Sequence, residues 1–163
     1  MTQRHLYMLR LPVPPAPLTI QHPTGGILRK PQPEETELLA EVMLDAYLDT
    51  VDYEGETTDD ALVEVEGYFS GRTGEPLLEA SWVYESSGAI LSASLVSLWK
   101  GKPLVSFLMT RSAWKGRGLA SYVLRQSLLS LQDAGYGEVY ATISEGNEPS
   151  QEIFSHFGFE RVE

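Results

Sequence analysis

The residues best suited to chemistry form one run, Trp114-Lys115-Gly116-Arg117-Gly118-Leu119-Ala120. It follows the apolar residues 104–109 and precedes an amphipathic stretch, so it reads as strand, glycine turn and helix start. Glycine lets main-chain N–H groups come close to a ligand, and the unpaired N–H groups of a first helical turn favour anions. Lys115 and Arg117 add positive charge beside them. The pattern predicts a cradle for a diphosphate. Two better-known phosphate patterns fit it poorly. A P-loop needs two glycines five apart followed by Lys-Ser/Thr, and this run has neither. A dinucleotide fingerprint needs a third small residue, which Ser121 supplies, and an acid closing the next strand, whereas Glu138 opens it.

The elements that must hold this turn in place are legible from periodicity and turn chemistry. Residues 1–25 are Pro-rich, with Pro12, Pro14, Pro15 and Pro17 and two short strand-like runs at 6–11 and 18–21. They are expected to form an extension ahead of a domain over 26–163. A short strand at 27–30 leads to a helix beginning at Pro33-Glu34-Glu35, since proline suits a first turn and acids suit its positive end. Its apolar stripe is Leu38, Leu39, Val42, Ala46 and Tyr47, with Leu44 on the flank. A second helix spans 59–69. Strands at 77–85 and 89–100 flank the turn Ser86-Ser87-Gly88, and Lys100-Gly101-Lys102-Pro103 turns into a strand at 104–110. Three antiparallel strands therefore precede the glycine turn. A helix over 118–134 ended by Gly135, a strand at 138–144, a short helix capped by Asn147 and a last strand at 158–162 complete the order.

Composition narrows the function classes. A chain of 163 residues with 42% hydrophobic content can bury one full core. No apolar run is long enough to predict a membrane span, and the N-terminal prolines interrupt any signal-peptide core. With no cysteine and three scattered histidines, no metal site is expected. A cytoplasmic protein is the expectation. Net charge of −11 argues against nucleic acid as partner. The charge is also segregated. Residues 31–71 hold thirteen acids and no Lys, Arg or His, whereas residues 86–132 hold no acid and the bases Lys100, Lys102, Arg111, Lys115, Arg117 and Arg125. Such a layout suits a phosphorylated cofactor on one side and a cationic acceptor on the other.

The order β-α-α-β-β-β-α-β-α-β from about Ile27 onward resembles the GCN5-related N-acetyltransferase (GNAT) superfamily. Three local matches carry the resemblance. Lys115-Gly116-Arg117-Gly118-Leu119-Ala120 is similar to that family's Gln/Arg-x-x-Gly-x-Gly/Ala turn, with Lys in its first position. Leu108-Met109-Thr110 lies where the family's splayed strand binds pantetheine. Asn147-x-x-Ser150-x-x-Ile153-Phe154, followed by Phe157-Gly158-Phe159, resembles the Asn-x-x-Ala-x-x-Leu-Tyr…Gly-Phe signature. The resemblance implies an α/β (α+β) fold: a mixed, mostly antiparallel central sheet with one splayed parallel strand pair and helices on both faces. It also implies acetyl-CoA as co-substrate. Leu108, Met109, Thr110 and Arg111 would meet pantetheine, Lys115, Gly116, Arg117, Gly118, Leu119 and Ala120 the diphosphate, and Asn147, Ser150 and Phe154 the other side of the cofactor.

The implied reaction is direct attack of a primary amine on the acetyl thioester, with a main-chain N–H near Met109–Thr110 receiving the oxyanion. Asp49, Asp52 and Tyr53, after the first helix, would contact a cationic small-molecule or peptide amine. Many relatives carry a proton-donating Tyr where this chain has Phe154, which leaves Ser144, Tyr140 and Tyr84 as candidate donors. The strand at 104–110 holds no carboxylate, and Ser106 is its polar residue before Thr110. Candidate bases are therefore Glu79 and Glu85 on the preceding hairpin, or Asp49 and Asp52; His156 is expected at the surface. A non-catalytic acyl-CoA-binding module, and more remotely a small nucleotide-binding domain, remain open. Relatives usually add a strand after the Gly-Phe segment. Here the N-terminal runs or a second subunit in a homodimer would complete that sheet edge.

Overall fold

The computed structural model describes residues 3–13 and 26–162. Seven strands make one sheet: β1 (Arg4–Arg10), β2 (Ile27–Arg29), β3 (Trp82–Ser86), β4 (Ala89–Trp99), β5 (Lys102–Thr110), β6 (Glu138–Ser144) and β7 (Glu160–Arg161), in the order β2-β3-β4-β5-β6-β1-β7. Neighbours are antiparallel except β5 and β6, which run parallel. The α-helices among the described residues are α1 (Thr36–Tyr47), α2 (Thr58–Ser70), α3 (Leu119–Asp133) and α4 (Glu148–His156).

Helices cover both faces of the central strands, which is why β4 is buried along most of its length. On one face Leu39, Val42 and Val65 of α1 and α2 pack on Ile90, Ala93 and Leu95. On the other, Leu124, Leu128 and Leu131 of α3 join Val96, Val105, Phe154 and Phe157. Full burial of each such side chain contributes roughly 1.5–3 kcal/mol. Ser94 also faces α3 and receives a hydrogen bond from Ser127 at 2.8 Å, so this buried polar pair is satisfied.

The hairpins follow from turn residues. Ser87-Gly88 and Lys100-Gly101 are two-residue loops with φ of 53° and 79°, and of 51° and 77°. Positive φ at both central positions is the type I′ geometry that matches strand twist. The expected strand at 77–85 is shorter than its pattern. A 3-10 turn occupies Leu78–Ala80 and the strand begins at Trp82. The Ser81 hydroxyl accepts the Val96 N–H at 2.9 Å, and Tyr68 Oη donates to the Val96 carbonyl at 2.9 Å, so side chains take ladder positions there. Likewise Pro33–Glu35 forms a 3-10 turn and α1 begins at Thr36.

The described part of the Pro-rich extension is built into the sheet. β1 pairs with β6 from Arg4 opposite Ser144 to Arg10 opposite Glu138, and with β7 through Tyr7 and Met8. Leu9, on its inward face, joins the core with Phe157 and Phe159. The N-terminal run at 6–11 thus supplies the strand beside β7, while the run at 18–21 lies outside the described residues.

Candidate functional site

The site is built where β5 and β6 part. Their parallel pairing covers only Leu104 opposite Tyr140 and Val105 opposite Ala141. Just beyond, the β4–β5 register slips, because Leu95 faces Phe107 while Val96 faces Val105, leaving Ser106 as the extra residue. Such a bulge bends its strand. Arg111 N–H bonds to the Leu91 carbonyl at 2.8 Å, so by ladder alternation Met109 also bonds toward β4. The N–H and C=O groups of Leu108 and Thr110 then face the widening gap. This refines the expectation for the oxyanion donor, since the N–H of Met109 itself is directed at β4.

Two clefts open from this gap. One, of about 510 Å³, is lined by Met109, Thr110, Trp114, Lys115, Gly116, Gly118, Leu119, Ala120 and Ser121, with Gly146, Pro149 and Ile153 across from them. The other, of about 630 Å³, lies between β5, β6, α2 and the loop after α1. Tyr47, Leu108, Asn147 and Ser150 line both.

The first cleft carries the glycine turn. Gly116 and Gly118 have φ of 78° and 85°, in the left-handed region that favours glycine. Gly118 is the N-cap of α3 and no side chain caps that end. The first helical bond is Tyr122 N–H to the Gly118 carbonyl, so the N–H groups of Leu119, Ala120 and Ser121 have no partner among the described residues and line the cleft. The two basic side chains are engaged elsewhere. The Arg117 guanidinium lies 4.6 Å from the Trp114 ring centroid. Lys115 Nζ donates to the Ala46 carbonyl and to Asp49 Oδ1, the latter at 2.8 Å. It thereby supplies the cation that the last turn of α1 lacks. That hydrogen bond lowers the Asp49 carboxyl below its ordinary range. Asp49 therefore belongs to the rim of this cleft, paired to the turn. Arg111 lines neither cleft, its Nε held by the Ile90 carbonyl at 2.7 Å.

At the junction the structure joins three residues expected in different roles. Ser144 Oγ donates to Asp52 Oδ1, and Asn147 Nδ2 donates to Asp52 Oδ2 at 3.1 Å. Asn147 also caps α4, accepting the Ser150 N–H at 3.3 Å. Tyr53 lines the same cleft and donates to the Glu56 carbonyl at 3.3 Å. Phe154 is a cleft wall, 5% exposed and edge-on to Phe159.

Other sequence candidates stand apart. Glu79 is exposed in the Leu78–Ala80 turn and lines neither cleft. Glu85 pairs with Arg29 at 2.7 Å, and Arg29 also holds Glu35 at 2.5 Å, lowering the Glu35 carboxyl. Tyr84 is 1% exposed on the α3 side, in a cluster with Leu119 and Val123. Tyr140 donates to Glu138, and His156 is exposed beside Phe157.

Two residues of the second cleft carried no local signal. Tyr47 reads as part of the α1 stripe, yet it lines both clefts, and burial, then the negative Asp52, push its hydroxyl up to about 12. Arg4 reaches this cleft only through the pairing of β1 with β6. Its acids, Asp52, Glu54, Glu56, Asp60 and Glu64, come from the anionic segment. Among the described residues no group of His, Asp and Glu is arranged to hold a metal ion, and no helix is long and apolar enough to cross a membrane.

Comparison with solved structures places the fold. A GCN5-related N-acetyltransferase from Sphaerobacter thermophilus superposes with a TM-score of 0.73 at 18% identity, over 98% of this chain and 48% of that one. The chain thus spans about half the length of that protein. The PaiA N-acetyltransferase from Thermoplasma acidophilum in complex with coenzyme A gives 0.67 at 15% identity, over 84% and 91%. Diaminobutyrate acetyltransferase EctA from Paenibacillus lautus, in complex with L-2,4-diaminobutyric acid and coenzyme A, gives 0.62 at 14% identity, over 83% and 75%. Comparison with curated proteins gives no match. At these identities the structures share the fold alone, but a family sequence model, the acetyltransferase (GNAT) domain, matches residues 27–160 and takes in the splayed strands, the glycine turn and the Asn147 cap. The chain belongs to the GNAT acetyltransferase domain family.

Proposed function

We propose that this protein transfers the acetyl group of acetyl-CoA directly to a primary amine of a cationic acceptor. The observation that carries the reading is the junction of the two clefts. An uncapped helix N-terminus behind a glycine turn opens, through the β5–β6 gap, into a cleft lined with carboxylates. The main-chain N–H groups from Gly116 to Ser121 would grip the diphosphate, and the gap would take the pantetheine arm as a pseudo-strand. Tyr47, Leu108, Asn147 and Ser150, common to both clefts, would surround the thioester.

An acceptor ammonium must lose a proton before its nitrogen can attack. Asp52 is the carboxylate bonded to Asn147, which lines both clefts, and its hydrogen bonds from Ser144 and Asn147 orient it to take that proton, directly or through a water. The amine then attacks the carbonyl carbon, and the oxyanion meets the N–H of Leu108 or Thr110. One such donor is typically worth about 3–4 kcal/mol. Collapse breaks the C–S bond, the added nitrogen gives up its second proton to water, and the products are the amide and the thiolate. The thiolate is a far better leaving group from the tetrahedral intermediate than the amide nitrogen, so Phe154 is tolerable where a phenol would help. Tyr47, which lines both clefts and keeps its proton, is the hydrogen-bond donor to the departing sulfur.

A thiol-release screen of acetyl-CoA against a broad panel of amines tests the reading, run beside Gly118→Glu, which puts bulk and negative charge into the anion site and strains a left-handed backbone. Thiol release by the wild type with at least one amine, abolished by the variant, is expected. Acetyl-CoA binding without turnover on any amine would favour a non-catalytic acyl-CoA-binding module. A preference for NAD or ATP over coenzyme A would overturn both.

A further inference from the structure

The acid-lined cleft contains one cation among its described lining residues, Arg4. It comes from the N-terminal strand, where Arg4 lies directly opposite Ser144. Five carboxylates share the cleft, yet none of the ion pairs among the described residues involves Arg4. Three of those carboxylates are already occupied within the chain. Asp52 accepts from Ser144 and Asn147, Glu56 from the Glu54 N–H at 2.8 Å, and Asp60 from the Thr57 N–H at 2.8 Å. Glu54 and Glu64 have carboxylates without a bonded partner among the described residues. Arg4 lies near enough to Tyr47 to act on its hydroxyl electrostatically, as do Asp52 and Glu64. The cleft therefore combines an uncommitted guanidinium with the uncommitted carboxylates of Glu54 and Glu64, all three on exposed residues of its lining.

A simple polyamine matches the acids and is repelled by Arg4. An amine that also bears a carboxylate matches both. We propose that the acceptor is an amino-acid-like amine, with a carboxylate held by Arg4 and its cationic end by Glu54 and Glu64, and that Arg4 sets this preference. A guanidinium presents a planar fork of donors suited to a carboxylate, and such charge-assisted pairs are the stronger hydrogen bonds. The N-terminal strand thus has two tasks: it fills the sheet between β6 and β7, and it delivers the specificity residue. The inference rests on the acetyl-transfer reading of the cleft.

Matched acceptors that differ only by a carboxylate test it: ornithine against putrescine, and lysine against cadaverine, with thiol release from acetyl-CoA on the full chain. The wild type is expected to favour the carboxylated member of a pair at least tenfold in kcat/KM. Arg4→Gln should remove that preference by raising KM for the carboxylated acceptor about tenfold, with putrescine turnover unchanged or raised and the KM for acetyl-CoA within twofold. Arg4→Lys should restore part of it, which a merely structural role would not predict. Equal kcat/KM within both pairs, or an equal loss on both members in Arg4→Gln, would overturn the inference while leaving amine acetylation intact. No transfer to any amine would instead bring down the acetyl-transfer reading, and this inference with it.

Discussion

Ser144 Oγ donates to Asp52 Oδ1, tying the end of β6 to the loop after α1 across 92 residues of sequence. With Asn147, which lines both clefts, on the other oxygen, Asp52 becomes a fixed carboxylate of the second cleft. Its neighbour in the sequence, Asp49, is turned the other way and pairs with Lys115. Two acids three residues apart are thus given different work.

Asp52→Asn is expected to lower kcat on the best acceptor about 100-fold, the low end of the ~10²–10⁴ typical of a general base. Asp49→Asn should change the acceptor KM less than twofold, since its partner is Lys115 at the rim of the other cleft. Steady-state kinetics of the two variants side by side check this. Equal effects would show that the placement of the two carboxylates does not govern their roles.

Tyr47→Phe should lower kcat about tenfold with little change in either KM. The loss is small because Tyr47 only hydrogen-bonds to a thiolate that is already a good leaving group. No alkaline limb assignable to Tyr47 is expected below pH 10, because its hydroxyl is pushed up to about 12. A pH–rate profile of the wild type and the variant measures both.

The same phenol makes stability fall in alkali. Tyr47 and Tyr68 titrate near 12 when folded, Tyr68 mainly through burial, but near 10 when unfolded. Between those values the unfolded chain has released protons that the folded one retains, so raising the pH favours unfolding. Stability should be level below about pH 9 and drop between about pH 10 and 12, by on the order of 2–3 kcal/mol for the fully buried Tyr68 and by less for the half-buried Tyr47. Urea titrations at stepped pH read the drop, and Tyr47→Phe should reduce it.

Leu9 lies on β1, 6% exposed, packed with Phe157 and Phe159. Leu9→Ala should cost about 2–4 kcal/mol. Removing residues 1–22 should cost far more, because β7 would lose its pairing partner and β6 its antiparallel one. A truncated chain as stable as the full one, with unchanged oligomeric state, would contradict the integration of β1 into the sheet. Melting temperatures and sedimentation decide it.

Much of this architecture was legible locally. Gly116 and Gly118, the loops at Ser87-Gly88 and Lys100-Gly101, and the Asn147 cap each fix their own backbone, so residue type announces them. What escaped the sequence depends on register between distant segments. Arg4 enters the acceptor cleft only because β1 pairs with β6 in one particular alignment. Tyr47 reads as a core residue because helix periodicity places it on the buried stripe without revealing that the stripe ends at a cleft. Lys115 reads as a phosphate ligand, and its reach to Asp49 and the Ala46 carbonyl follows from the docking of α1 against the turn. The 3-10 turn at Leu78–Ala80 arises from a serine hydroxyl taking a strand N–H, an exchange that no periodicity encodes.

The grip of the main chain between β5 and α3 on the diphosphate is the claim on which the rest depends. A crystal structure of the protein soaked with coenzyme A tests it directly. Diphosphate oxygens should lie about 2.7–3.2 Å from the N–H groups between Gly116 and Ser121, with the pantetheine arm between β5 and β6. Coenzyme A bound with its diphosphate away from those amides, or with the β5–β6 gap unfilled, would contradict it.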